Sequence, residues 1–237
     1  GVQNFGYSRL SGTEGLAYKQ FRATSSYANR PRMLYVGGND GMLHGFSFAY
    51  DAVNLIATGT EQLGFIPNGV FGNLGSLSDP NYSHKYFVDG SPIFSDAYID
   101  HDGDSNKSWR TVLVGSTGAG GSGVFALDVT DPANFSAANV LWDIDKQQAA
   151  FADMGYSLGE ASIARMPDGH FYAVFGNGYG SGTGIGTDTG KAKLYAVRLD
   201  DHTQVRSIEL ETGGSNGLSA PLVVDYDDDR IADAIYA

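Results

Sequence analysis

The sequence predicts an all-β fold, a β-propeller with irregular four-stranded blades, carried here as a segment of a larger propeller of about seven blades. Three observations predict it. Apolar runs recur in groups of four, with module starts at Ser91, Ala161 and Ala220 and a period of roughly 60–70 residues. Glycine, 33 residues of 237, punctuates those runs, while 14 Tyr and 13 Phe suit pleated, half-buried strands. A helical pattern is comfortable only across residues 14–28, ending before Arg30-Pro31.

In chain order, the first module lacks its opening strand. Met33–Gly38 forms its second strand, Met42–Phe48 its third and Leu63–Ile66 its fourth. The next begins at Ser91-Pro-Ile-Phe, turns at Asp100–Asn106 and continues through Arg110–Gly115, Gly123–Val129 and Val140–Asp143. Another begins at Ala161-Ser-Ile-Ala and turns at Pro167-Asp-Gly169. It continues through Phe171–Gly176, Lys193–Arg198 and Arg206–Leu210. The last starts at Ala220-Pro-Leu-Val and reaches a second strand at Ala232–Ala237. A β-sandwich would use the same strands but would not produce a recurring four-strand order. Residues 1–237 are therefore expected to be a single propeller segment. Complete blades are expected near 91–145 and 161–211, and partial blades at 33–70 and 220–237.

Composition excludes several classes. A net charge of -12 opposes phosphate binding, which needs clustered Lys and Arg, so nucleic acid is excluded as a partner. No apolar run approaches the length of a membrane-spanning segment. Zero cysteines excludes disulfides and thiolate metal sites.

The chemistry-bearing motif lies between the last two strands. Asp225, Asp227, Asp229 and Asp233 occupy positions 1, 3, 5 and 9 of an acidic loop, with Ile231 at position 7 and Asp228 between them. Two strands joined by this turn bring four carboxylates to one point. Each close pair costs about 1 kcal/mol in water and about 4 kcal/mol at an effective dielectric of 20. A hard divalent cation removes that repulsion, and Ca2+ takes six to eight oxygen ligands. The expected site is Asp225, Asp227, Asp229 and Asp233 by side chain and Ile231 by backbone carbonyl, with Ca2+ as the cofactor. It is not an EF-hand: Arg230 stands where that loop has Gly, no Glu occupies position 12, and strands flank it. A second, weaker candidate is Asp100, Asp102, Asp104 and Asn106, with Ser108 at position 9.

Other motifs carry less. Gly118, Gly120 and Gly123 match G-x-G-x-x-G, but a strand rather than a helix is expected to follow, so no pyrophosphate site forms. Gly184–Lys191 departs from a phosphate loop at Ile185 and Ala192, and Gly213–Gly217 matches a nucleophile elbow with no following helix. The histidines, at 44, 84, 101, 170 and 202, have no metal-ligand spacing.

Several stretches carry a family resemblance. They are Arg30-Pro-Arg-Met-Leu-Tyr-Val-Gly-Gly-Asn-Asp-Gly-Met-Leu-His-Gly-Phe46, Val70-Phe-Gly-Asn-Leu74 and Asp79-Pro-Asn-Tyr-Ser-His-Lys-Tyr-Phe-Val-Asp-Gly-Ser-Pro92. Further on come Val112–Pro132, Gly155–Gly159, Phe175–Tyr179 and Asn216–Pro221. In this order they resemble the C-terminal propeller of the PilC/PilY family of type IV pilus biogenesis proteins and tip adhesins. The resemblance implies a secreted, extracellular protein at the pilus tip or the outer-membrane surface of a Gram-negative bacterium. It also implies minor pilin components and host or abiotic surfaces as partners. Its implied roles are pilus assembly, the extension–retraction balance and adhesion. The family's calcium loop falls on Asp225, Asp227, Asp229, Ile231 and Asp233. The chain contains no Arg-Gly-Asp, so integrin binding of that type is not implied.

Two alternatives compete. Gly123–Val129 and Lys193–Leu199 also resemble repeats of quinone-dependent dehydrogenase propellers, which carry a docking Trp in nearly every blade. This chain has only Trp109 and Trp142 and no evident cofactor pocket, so no enzymatic activity is expected. The other alternative is a structural propeller whose acidic loop binds nothing specific. Adhesive contacts are expected on the long connections at 49–90 and 177–191.

Overall fold

The computed structural model describes residues 3–51, 53, 56–180, 190–211 and 217–237. Two four-stranded antiparallel sheets dominate it. The first contains β4 (Ile93–Ile99), β5 (Ser108–Ser116), β6 (Gly123–Asp128) and β7 (Val140–Asp145), in chain order across the sheet. The second contains β8 (Ser162–Arg165), β9 (Phe171–Gly176), β10 (Ala192–Arg198) and β11 (Val205–Glu211), again in sequence order. Before them lies a three-stranded sheet of β1 (Arg32–Gly37), β2 (Leu43–Asp51) and β3 (Ile56–Phe65). After them comes the hairpin of β12 (Leu222–Val224) and β13 (Ala234–Tyr236).

Strand periodicity explains how these sheets stack. On β5, Val112 and Val114 point into one core while Leu113 points into another. On β6, Val124 and Ala126 join Val112, and Phe125 and Leu127 join Leu113. That second core is completed by Leu43, Leu63 and Tyr35 of the three-stranded sheet. The alternation repeats on β9. Phe171, Ala173 and Phe175 face the β4–β7 sheet, whereas Tyr172 and Val174 face Val223 and Ile235 of the terminal hairpin. Both four-stranded sheets are therefore buried on both faces, which a two-layer sandwich does not allow. Sheets stacked face to face in sequence are the packing of a β-propeller. Each fully buried large apolar side chain in these interfaces stabilises by about 1.5–3 kcal/mol.

Two local expectations change. The single helix over 14–28 is two: α1 (Gly12–Ala23) and α2 (Ser25–Ala28). Thr24 is extended between them (ψ 145°); its hydroxyl donates to Phe21 O (2.7 Å) and accepts from Tyr27 N (3.3 Å), capping α2. The fourth strand of the first module starts at Ile56 rather than Leu63, because its backbone pairing with β2 continues as far as Ile56 opposite Asp51. The connection expected at 49–90 accordingly begins after Phe65. Most of Gly184–Lys191 and Gly213–Gly217 lies outside the described residues, as does most of the connection at 177–191.

The N-terminal segment crosses the first strands of both four-stranded sheets. Tyr18 and Tyr27 hydroxyls donate to Asp96 Oδ2 on β4 (2.9 Å each), and Thr111 Oγ1 on β5 donates to Asp96 Oδ1 (2.6 Å). Glu14 takes two hydrogen bonds from Arg165 at the end of β8 (2.9 and 3.0 Å). Trp109 Nε1 donates to Glu14 O (3.1 Å), and Trp142 Nε1 donates to Arg198 O (3.1 Å). Both tryptophans are thus buried and backbone-anchored. Among the described residues no helix is long and apolar enough to cross a membrane.

A short helix, α3 (Asn68–Phe71), rests on β7, with Asn68 N donating to Asp143 Oδ2 (2.8 Å) while Oδ1 is buried without a partner. Burial pushes the Asp143 carboxyl up to about 7, against the Asn68 hydrogen bond and with help from Asp145. A carboxyl raised on folding stabilises fully below its unfolded pKa, and the contribution is lost as pH rises through the folded one. Asp143→Asn should therefore flatten the loss of stability between about pH 4 and pH 7. Thermal melting across pH checks this, and parallel profiles for variant and parent would refute it.

Candidate metal centre

Two acidic turns occupy equivalent places, each joining the first and second strands of its sheet. In the β12–β13 turn, carboxylate oxygens of Asp225, Asp227 and Asp229 all lie within 4.8 Å of one another. In the β4–β5 turn the same holds for Asp100, Asp102 and Asp104. These are the two such carboxylate groups found among the described residues.

The backbone holds both turns in one conformation. Asp225 Oδ2 accepts from Arg230 N (2.9 Å), and Asp100 Oδ2 accepts from Ser105 N (2.8 Å), five residues on in each case. Asp227 Oδ1 accepts from Asp229 N (3.3 Å), and Asp102 Oδ1 from Asp104 N (3.4 Å). Asp229 Oδ1 accepts from Ile231 N (2.7 Å), and Asp104 Oδ1 from Asn106 N (2.8 Å). Two residues of each turn are left-handed: Gly103 (φ 77°) and Ser105 (φ 70°), then Asp228 (φ 63°) and Arg230 (φ 73°). Arg230, at the position an EF-hand gives to Gly, adopts the conformation that Gly would supply. Each non-glycine residue held there costs about 1–2 kcal/mol.

The structure brings three of the four predicted carboxylates together. Asp233 lies on the exiting strand side, where its Oδ2 accepts from Tyr226 N (2.6 Å) and its own N–H donates to Val224 O (2.9 Å). Ile231 contributes its N–H to the turn and packs its side chain against the core shared with Phe171. In the β4–β5 turn, Asn106 Nδ2 donates to Asp104 Oδ2 (2.9 Å), and this amide hydrogen bond leads the interactions holding the Asp104 carboxyl below its usual range.

Sequence reasoning placed Asp228 between the ligand positions but did not find its partners. Its carboxylate does not join the cluster; it pairs with Arg230 and with Arg9 of the N-terminal segment. Arg230 Nη1 also lies 3.9 Å from Asp225 Oδ2. A carboxylate between two ligand-spaced aspartates was the available signal, but its partner is more than two hundred residues away in sequence. Such exposed pairs contribute about 1 kcal/mol or less. The donor set suits a hard cation: clustered oxygens from one partly buried and two exposed aspartates, with no sulfur or imidazole among them.

Gly118 and Gly120 precede the strand β6, which Gly123 opens, as expected, so the loop offers no helix N-terminus to a phosphate. Gly120 is demanded by packing: a Cβ there would lie 1.7 Å from Phe87 O.

Stacked antiparallel four-stranded sheets with an acidic turn between first and second strands define a β-propeller of the kind that carries a candidate cation site on a blade. A model of the PilY1 β-propeller domain matches residues 10–237, and the chain belongs to that family. The type IV pilus biogenesis factor PilY1 homolog of Xylella fastidiosa is 38% identical over 247 residues, covering 98% of this chain and 15% of the relative. The type IV pilus biogenesis factor PilY1 of Pseudomonas aeruginosa is 41% identical over 219 residues, covering 90% of this chain and 17% of the relative. The crystal structure of the Pseudomonas aeruginosa PilY1 C-terminal domain matches with a TM-score of 0.66 at 37% identity, over 92% of this chain and 38% of that one. The chain thus spans about a sixth of the length of these full relatives.

Proposed function

We propose that this chain is the calcium-binding propeller segment of a type IV pilus-associated protein, one that supports pilus assembly, the extension–retraction balance and surface adhesion. The observation that carries the calcium part is the convergence of Asp225, Asp227 and Asp229 within 4.8 Å in the β12–β13 turn. These residues would hold the ion, with Asp233 and the Ile231 carbonyl completing the oxygen set. The bound cation would neutralise the clustered carboxylates and hold the turn's left-handed residues in place. Affinity is expected from about micromolar to sub-millimolar, the span of calcium sensors and extracellular modules. The Asp100–Asp104 turn has the same backbone geometry but Ser108 where Asp233 stands, so it would bind more weakly.

The pilus part draws on membership of the PilY1 propeller family and on relatives named as type IV pilus biogenesis factors. On this reading the chain acts outside the cell, at the pilus or outer-membrane surface of a Gram-negative bacterium, with minor pilins and host or abiotic surfaces as partners. Exposed Phe71, Leu77, Tyr82 and Tyr86, between β3 and β4, offer aromatic and apolar contacts to such a surface. The decisive experiment is pilus retraction measured against external calcium, in cells whose full-length protein carries Asp227→Ala with Asp229→Ala. Loss of calcium dependence supports the reading, and retraction with the parental calcium response refutes it.

A further inference from the structure

The segment Phe5–Leu10 lies against the β12–β13 turn at one end and against the first strands of two sheets at the other. Tyr7 OH is 3.2 Å from Ser95 Oγ on β4, and the Tyr7 ring stands edge-on to Phe171 of β9, with centroids 5.3 Å apart. Phe5 meets Phe94 of β4 edge-on at 5.9 Å. Together with Arg165, Asp225 and Arg230, Phe5 and Tyr7 line a cavity of about 380 Å³ bounded by β4, β8 and β12. On the turn side, Arg9 pairs with Asp228, and the Arg230 side chain runs under Gly6. Gly6 is left-handed (φ 80°), and a Cβ there would lie 2.8 Å from Arg230 Nε.

We propose that cation binding in the β12–β13 turn and docking of Phe5–Leu10 are positively linked, with Asp228 and Arg230 as the linking residues. The inference rests on the calcium reading above. Asp228 and Arg230 belong to the turn's backbone but not to its converging carboxylates. Their left-handed φ angles aim one side chain at Arg9 and the other at Gly6. The hydrogen bonds that set those angles end on Asp225 and Asp227, which would hold the ion. Fixing the carboxylates around a cation therefore fixes the two side chains that receive the N-terminal segment. Repulsion between the cation and the arginines opposes this. Arg9 is more than half exposed (53%), so solvent and salt screen its share; Arg230 is less exposed (29%), but its guanidinium is paired with Asp228, which offsets its charge, and the conformational effect prevails. Linkage is reciprocal: the docked segment raises cation affinity by the factor by which the cation favours docking.

The test is amide hydrogen exchange in the intact protein, with calcium chloride against EDTA, alongside calcorimetric titration with calcium. The Phe5 amide is hydrogen-bonded to Tyr18 OH and reports docking directly, while the Arg9 and Leu10 amides, bonded to Gly6 O and Tyr7 O, report the ordering of the segment that accompanies it. Calcium should slow them about five- to tenfold, the lower part of the usual coupling range. In Asp228→Asn, which keeps all proposed ligands, calcium should still bind, more weakly by a similar factor, and the slowing should vanish. Gly6→Ala, whose Cβ would crowd Arg230 Nε while changing no residue of the turn, should reduce the slowing as well. Calcium heats in the parent with unchanged exchange at residues 5–10 would overturn the linkage alone, as would full slowing in Asp228→Asn. Absence of any binding heat in the parent would overturn the calcium reading and the linkage with it.

Discussion

Saturating calcium should raise the melting temperature of this protein by about 5–10 °C over EDTA. A ligand at a hundred times its Kd adds about 2.7 kcal/mol to the folded state. Each kcal/mol moves the midpoint of a domain of this size by about 2–4 °C. The stabilisation arises because three carboxylates within 4.8 Å repel in the metal-free turn and a divalent cation removes that repulsion. Asp227→Ala and Asp229→Ala should each remove most of the shift, leaving at most the weaker contribution of the Asp100–Asp104 turn, and Asp233→Ala should shrink it. Magnesium should give the smaller shift, since it demands a tighter octahedron and gives up water reluctantly. Identical melting curves in calcium and EDTA would end the metal assignment.

The second large effect is expected at Asp96, remote from the turn. Asp96→Ala should destabilise by about 3–5 kcal/mol, because buried donors left without a partner cost about 1–3 kcal/mol each. The donors are the hydroxyls of Tyr18, Tyr27 and Thr111, and Asp96 itself is fully buried. Burial pushes its carboxyl up, while those three hydrogen bonds and the nearby Arg30 pull it back down. Tyr18→Phe, which removes one donor and leaves the acceptor, should cost only about 1–2 kcal/mol. Urea denaturation with an unchanged m-value reads both. An Asp96→Ala midpoint close to the parent's would show that the Asp96 hydrogen bonds contribute little to holding α1 and α2 on the sheet.

How legible this protein was in its sequence differs by element. Strand order was readable because period-2 apolar runs bounded by Gly, Asp and Pro recur, and β4–β11 fall where those runs predict. The ends of elements were less so: β3 begins at Ile56 because pairing with β2 extends it, and Thr24 breaks one helix into two by capping the next. The acidic turn was visible as alternating aspartates. Its nearness to Arg9 was not, because nothing local marks a partner at the other end of the chain. Asp96 likewise looks like any aspartate in a strand until Tyr18 and Tyr27 are folded over it.

The sequence alone determined the four-strand repeat, the acidic turns and the exclusion of disulfide and thiolate chemistry, since each depends on residue type and spacing along a few neighbouring residues. The tertiary structure decided which faces bury against which sheet, that Arg230 takes the left-handed place of a glycine, and that three aspartates rather than four converge. It also decided that Asp228 reaches back to the N-terminal segment. Those outcomes depend on contacts between residues far apart in the chain, and such contacts are selected by packing and backbone hydrogen bonding rather than by local propensity.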